Sequence, residues 1–243
     1  MAISLDVSNN GWSSASSISV GFGGTPTDDN LMLVIFWTRA TSITTPSGWT
    51  KDVTVGSGDE HAAFTRIASS EGTSQSFTIS AADQTGWVYY EFSGVDTTTP
   101  VRATASEDTT GGTTSRGSGT TDTSPQSGDY AVAGFGSRDD ISAQSFTNSF
   151  TFDSTNNPDN TSPVAELSVG TKALTSSGAV STTMSWTTSS STRGLIVVLA
   201  QAATGALVKI YNGSSWVEGI PKVYNGSTWD EGTWKTYNGT GWE

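Results

Sequence analysis

Leu31-Met-Leu-Val-Ile-Phe-Trp37 is a run of seven apolar residues, entered from Asp28-Asp29-Asn30 and left through Thr38-Arg39. It is too short for a typical helix and is bounded by turn-forming residues, so it reads as a β-strand. Because it is apolar throughout, with no alternation, the strand is expected at the centre of a sheet or covered on both faces. Leu195–Ala200 reads the same way.

Outward from these two runs, short apolar segments recur about every ten residues between clusters of Gly, Ser, Thr, Asn and Asp, the pattern of a sandwich or barrel. Strands are expected at Ile3–Val7, Ser17–Phe22, Leu31–Arg39, His61–Ile67, Ser76–Ser80, Trp87–Phe92, Val101–Ala105, Tyr130–Phe135, Phe146–Phe152, Ala165–Thr171, Ala179–Trp186 and Leu195–Ala200. Ser17-Ile-Ser-Val-Gly-Phe22 and Ser76-Phe-Thr-Ile-Ser80 alternate, as strands with one wet face do. No segment carries a helical period. The fold class is therefore all-β: a jelly-roll-like antiparallel β-sandwich over 1–205, followed by short C-terminal β-hairpin repeats over 206–243.

Ser106–Ser127 holds almost no apolar residue and reads as a long loop dividing the sandwich. On either side of it, DNLMLVIFWTR (29–39) lines up with GDYAVAGFGSR (128–138), and SQSFTIS (74–80) with GAVSTTMSW (178–186). Two readings stand side by side here: an internal duplication, which a two-sheet jelly roll accommodates, or the shared look of amphipathic strands in a Ser/Thr background.

Composition narrows the chemistry. With 243 residues the chain is long enough for a substantial core. It has no cysteine, hence no disulfide and no thiolate metal site, and only one histidine. Ser and Thr make up about a third of it, far above average usage. The formal charge of −12 repels a polyanion, so nucleic acid is not an expected partner. MAISLDVSNN lacks the features of a secretory signal, and the apolar runs are too short to span a bilayer, so a soluble, unprocessed chain without membrane contact is expected.

After a linker at 201–206 the chain repeats itself: VKIYNGSSWVEGI, PKVYNGSTWDEGT, WKTYNGTGWE, with Asn-Gly at 212, 225 and 238, a 13-residue period. Asn-Gly between strand-forming residues is a strong hairpin signal. A two-residue turn at Asn212-Gly213 pairs Tyr211 with Ser214, Ile210 with Ser215 and Lys209 with Trp216, placing Tyr211 and Trp216 diagonally on one face. Tyr224 with Trp229, and Tyr237 with Trp242, repeat the arrangement. An isolated hairpin is marginal in water, so these aromatics need cover. Closed threefold association would supply it, and a homotrimer is expected. The same rings could instead contact glycan, since Tyr and Trp combine an apolar face with a polar edge.

The K-x-YNGSxW units resemble tandem repeats in virion proteins of tailed bacteriophages and archaeal viruses. The upstream segments TPSGWT (45–50), RIASSEGTSQSFTIS and EFSGVDTTTPV (91–101) are similar to β-rich domains of such proteins. The resemblance implies a virion surface component, a capsid decoration, head fibre or tail fibre, with self and other capsid or tail proteins as partners and a host-surface glycan as a further one. It brings no catalytic residues.

No constellation for catalysis stands out, and no enzyme activity or cofactor is expected. Glu60-His61 lacks an identifiable nucleophile or orienting carboxylate, and His61 reads as a surface or strand-edge residue. Asp28-Asp29, Asp139-Asp140 and the Asp153–Asn160 stretch offer oxygen ligands for calcium, but none has the ordered spacing of a calcium loop, and solvated turns are the simpler reading. The Gly-rich run 111–119 lacks a phosphate-loop ending. The Asn-Gly-Ser/Thr triplets match glycosylation acceptors, which the hairpins already explain. Three functions follow in order: a virion structural protein, a receptor- or carbohydrate-binding module using the repeat aromatics, and a glycan-cleaving sandwich enzyme.

Overall fold

The computed structural model describes residues 2–108, 111–161, 164–202, 208–211, 216–219, 222–224 and 229–231, with backbone alone at 159–161, at 164–165 and beyond 202. Met1–Ala202 forms one compact unit and Ala203–Glu243 a second. Every element among the described residues is a β-strand, and every pairing is antiparallel.

The first half contains β1 (Ser4–Ser13), β2 (Ser17–Gly21), β3 (Leu31–Thr38), β4 (Ile43–Thr44), β5 (Thr50–Val55), β6 (Glu60–Ile67), β7 (Ser74–Ile79) and β8 (Thr85–Ser93). They form a large sheet ordered β1-β8-β3-β6-β5 and a small one ordered β2-β7-β4. This is jelly-roll connectivity, with β5 added beside β6.

The second half contains β9 (Val101–Glu107), β10 (Thr113–Gly117), β11 (Tyr130–Ser137), β12 (Ser145–Phe146), β13 (Thr151–Phe152), β14 (Asp159–Thr161), β15 (Val164–Ala173), β16 (Thr183–Ser190) and β17 (Thr192–Leu199). Its large sheet runs β9-β17-β11-β15-β13, with β14 as an extra partner of β15, and its small sheet runs β10-β16-β12. Matching β1 to β9, β8 to β17, β3 to β11, β6 to β15 and β5 to β13 makes the two large sheets identical in order. The small sheets match likewise.

The jelly-roll-like sandwich expected over 1–205 is present as two such sandwiches, packed back to back through their large sheets. The apolar runs explain why. Met32, Val34 and Phe36 of β3 enter the core under the first small sheet, whereas Leu31, Leu33, Ile35 and Trp37 enter a central core shared with Val132, Leu167, Val169, Leu195, Val197 and Leu199. On β17, Ile196 and Val198 fill the core under the second small sheet. A sheet apolar on both faces has to be covered twice, and a second sandwich supplies the second cover.

Matching polar corners close the two sandwiches. Buried Glu60 accepts from the Ile43 backbone N–H, and Lys51 Nζ donates to Glu60 Oε1 at 2.8 Å and to Ile43 O at 2.7 Å. Buried Glu166 accepts from the Ile141 N–H at 2.9 Å, and Gln144 Nε2 donates to Ile141 O at 2.7 Å and to Glu166. Charge-assisted bonds from backbone N–H groups make such buried carboxylates tolerable.

Other expectations shift. The presumed loop 106–127 contains β10, and β9 reaches into it at Glu107. β10 was hidden because its only inward side chain of any size is Arg116, whose Nε donates to Thr192 O at 2.8 Å. β5 was hidden because Lys51 and Asp52 interrupt its apolar pattern. Phe146–Phe152 is two short strands around a turn in which the Phe150 N–H donates to Thr147 O at 3.2 Å. The strand expected at Ala179–Trp186 begins at Thr183 and continues to Ser190. Trp37, Trp49, Trp87 and Trp186 are buried and Trp12 partly so.

Candidate functional site

The terminal repeats that stand out in the sequence form paired strands. β18 (Val208–Tyr211) pairs with β19 (Trp216–Gly219), and β20 (Lys222–Tyr224) with β21 (Trp229–Glu231). The expected two-residue turn register is corrected: Tyr211 lies directly opposite Trp216, Ile210 opposite Val217 and Lys209 opposite Glu218. Tyr224 is likewise opposite Trp229, and Lys222 opposite Glu231. Four residues separate the strands rather than two. In both hairpins the register places a Tyr position opposite a Trp position and a Lys position opposite a Glu position, where the two-residue turn would have set Ile210 against Ser215. Tyr237 and Trp242 lie outside the described residues.

The acidic stretches are engaged locally. Asp28 Oδ1 accepts from the Ser70 N–H at 2.6 Å. Asp153 Oδ1 accepts from the N–H groups of Thr155 and Asn156, while its Oδ2 accepts from the Tyr90 hydroxyl at 2.7 Å and from Asn156 Nδ2 at 2.9 Å. Asp139 and Asp140 are exposed on the connection after β11. Among the described residues no group of three or more acidic or histidine side chains is gathered to hold a metal.

His61 is corrected from a surface or edge residue to a fully buried one on β6, which is flanked by β3 and β5. Its Nδ1 lies 2.7 Å from Phe36 O, and its ring stands over Gly134, where a Cβ would come within 3.1 Å of it. Burial pushes the imidazole below its ordinary pKa, so the ring stays neutral. Beside it is fully buried Asp59, which accepts from Arg138 Nε at 2.7 Å and from Arg193 Nη1 at 2.8 Å. Arg193 Nε in turn lies 3.3 Å from Asp108. These charges join the two halves. Asp59 and Arg193 are buried and ion-paired across the junction, an arrangement that suits cohesion. Strand parity held the missed signal: Ala63 faces the central core, so His61, two residues earlier, faces it too.

Asp52 sits at the bulge in β5, accepts from the Thr65 hydroxyl at 2.8 Å, and has its carboxyl pushed up to about 6, chiefly by burial. A carboxyl raised in the fold favours the folded state while protonated, and that advantage is lost as pH rises from about 4 through 6. Asp52→Asn is therefore expected to exceed wild type in stability by up to about 3 kcal/mol above pH 6 and to converge with it below pH 4. Urea unfolding of both proteins across that range measures the difference, and parallel pH profiles would refute it.

Comparison with known proteins adds no relative: no protein-family model, curated protein or solved structure matches this chain.

Proposed function

We propose that this protein is a non-enzymatic structural component of the surface of a virus particle, a capsid decoration, head fibre or tail fibre. It self-associates as a homotrimer, docks on other virion proteins and projects outward towards the host. The observation that carries the reading is the 13-residue repeat, with one hairpin register in both described copies. Such hairpins gain their stability by association, and closed cyclic symmetry is the economical way for one chain to provide it. The double sandwich Met1–Ala202 is the body in this reading. Its buried charges are paired, and its interior is given to packing.

The test is the solution mass, by light scattering, of the whole chain and of residues 1–202. Three chain masses for the former and one for the latter are expected. Monomers in both cases would overturn trimerisation through the repeats and bring forward the second reading, glycan contact by Tyr211, Trp216, Tyr224, Trp229, Tyr237 and Trp242.

A further inference from the structure

The two halves differ where a basic side chain crosses the start of the large sheet. Arg66 pairs with Met32 on β3, and Lys172 pairs with Ala131 on β11. Met32 and Ala131 correspond in the alignment of 29–39 with 128–138, so Arg66 and Lys172 occupy equivalent places. Each donates to the carbonyl of the first central residue of the neighbouring turn, Arg66 Nη1 to Ser47 O at 3.4 Å and Lys172 Nζ to Asn148 O at 2.7 Å. There the likeness ends. Arg66 is neutralised by Glu71 at 2.5 Å, from the connection between β6 and β7. The corresponding connection, Leu174 to Thr182, carries no acidic residue. Among the described residues, no carboxylate lies within ion-pair distance of Lys172.

What surrounds the unneutralised amine is concave. One depression of about 310 Å³ lies between the Asn148-Ser149 turn and the 174–181 connection, and an adjoining one of about 390 Å³ includes Tyr130 and Thr151. Both contain Ser149, Lys172 and Thr175, so Lys172 belongs to the wall they share, and neither is lined by an acidic residue. The trough is braced: Asn148 Nδ2 donates to Ser181 O at 2.8 Å, and the Lys172 amine is also 5.8 Å from the centre of the Phe150 ring. Asn148 and Ser149 hold φ of 54° and 61° without glycine, a backbone cost that the surrounding bonds sustain.

We propose that this trough binds a saccharide bearing a carboxylate, with the acid group on Lys172 and sugar hydroxyls on the Ser and Thr side chains. A single cation matches a single negative charge. A phosphate dianion would leave excess charge facing a protein of net charge −12. Hydroxyls around one charged anchor are the few convergent polar groups that orient a ligand in a pocket. Every residue of the site belongs to Met1–Ala202.

The test is calorimetric titration of the full chain with a malto-oligosaccharide carrying a single uronic acid at one end, with neutral malto-oligosaccharide and with inorganic phosphate. Saturable binding of the first alone is expected, weakening as salt is added. Lys172→Gln is expected to weaken it at least tenfold and Lys172→Arg to retain it. Thr175→Glu, which brings a carboxylate to the amine as Glu71 does for Arg66, is expected to abolish it with no change in thermal unfolding. Absence of binding, equal binding of the neutral oligomer, a preference for phosphate, or indifference to Lys172→Gln would each overturn the proposal. None of these outcomes bears on the solution mass, which tests the structural role separately.

Discussion

Asp59→Ala is expected to lower the unfolding free energy by about 3–5 kcal/mol, the cost of leaving a buried charge without its partner. Asp59 is fully buried and Arg193 nearly so, and the 2.8 Å bond between them crosses from the first sandwich to the second. With the carboxylate gone, Arg193 keeps only Asp108, 3.3 Å from its Nε and partly exposed. Arg138 contributes less to the loss, because its side chain is 41% exposed and water can replace the bond.

The diagnostic comparison is the double variant Asp59→Ala with Arg193→Met. Replacing both members of a buried pair by apolar groups is often close to neutral, whereas removing one is not. Most of the lost stability should therefore return in the double variant. Denaturant titration with fluorescence and circular dichroism together measures both and shows whether the halves still unfold as one. A single variant within 1 kcal/mol of wild type would mean that the charge pair does not hold the halves together.

How far the sequence foretold this arrangement depends on which side chains carry each feature. Leu31–Trp37 announced a strand at the centre of a sheet or covered on both faces, and β3 is both, lying mid-sheet with its two apolar sets entering different cores. The alignment of 29–39 with 128–138 matches β3 to β11, but periodicity alone did not reveal that each half closes its own sandwich. That depends on which strands carry a second apolar face. The inward Arg116 and the interrupted pattern around Asp52 hid β10 and β5, since an inward polar residue breaks the alternation by which a strand is recognised. The junction between the halves was the least legible part. His61 reads in sequence as a surface or strand-edge residue, and what admits it to the interior is the space opposite, at Gly134; Asp59 beside it is held by Arg193 on β17. In the repeats the Asn-Gly signal located the hairpins, while loop length, which that signal does not determine, set Tyr211 against Trp216.

Gly136→Val is expected to cost about 3 kcal/mol, at the upper end for inserting volume into a packed core. A Cβ at Gly136 would come within 2.6 Å of Trp37 Cδ2 and 2.7 Å of its Cγ. The indole cannot yield easily. It is fully buried, its Nε1 donates to Ser137 O at 2.7 Å, and its ring meets His61 edge to face with centroids 6.5 Å apart. Valine's better strand propensity offsets less than about 1 kcal/mol of this. Relief should come from the other side: adding Trp37→Leu to Gly136→Val makes room for the new side chain, so the double variant should lose less than the sum of the two single losses. Gly24→Ala, at a position with nothing within 4 Å of the added Cβ, is the control and should stay within about 0.5 kcal/mol of wild type. If Gly136→Val unfolds at the same denaturant concentration as that control, the two large sheets do not meet at Trp37, and the back-to-back packing of the sandwiches is wrong at its centre.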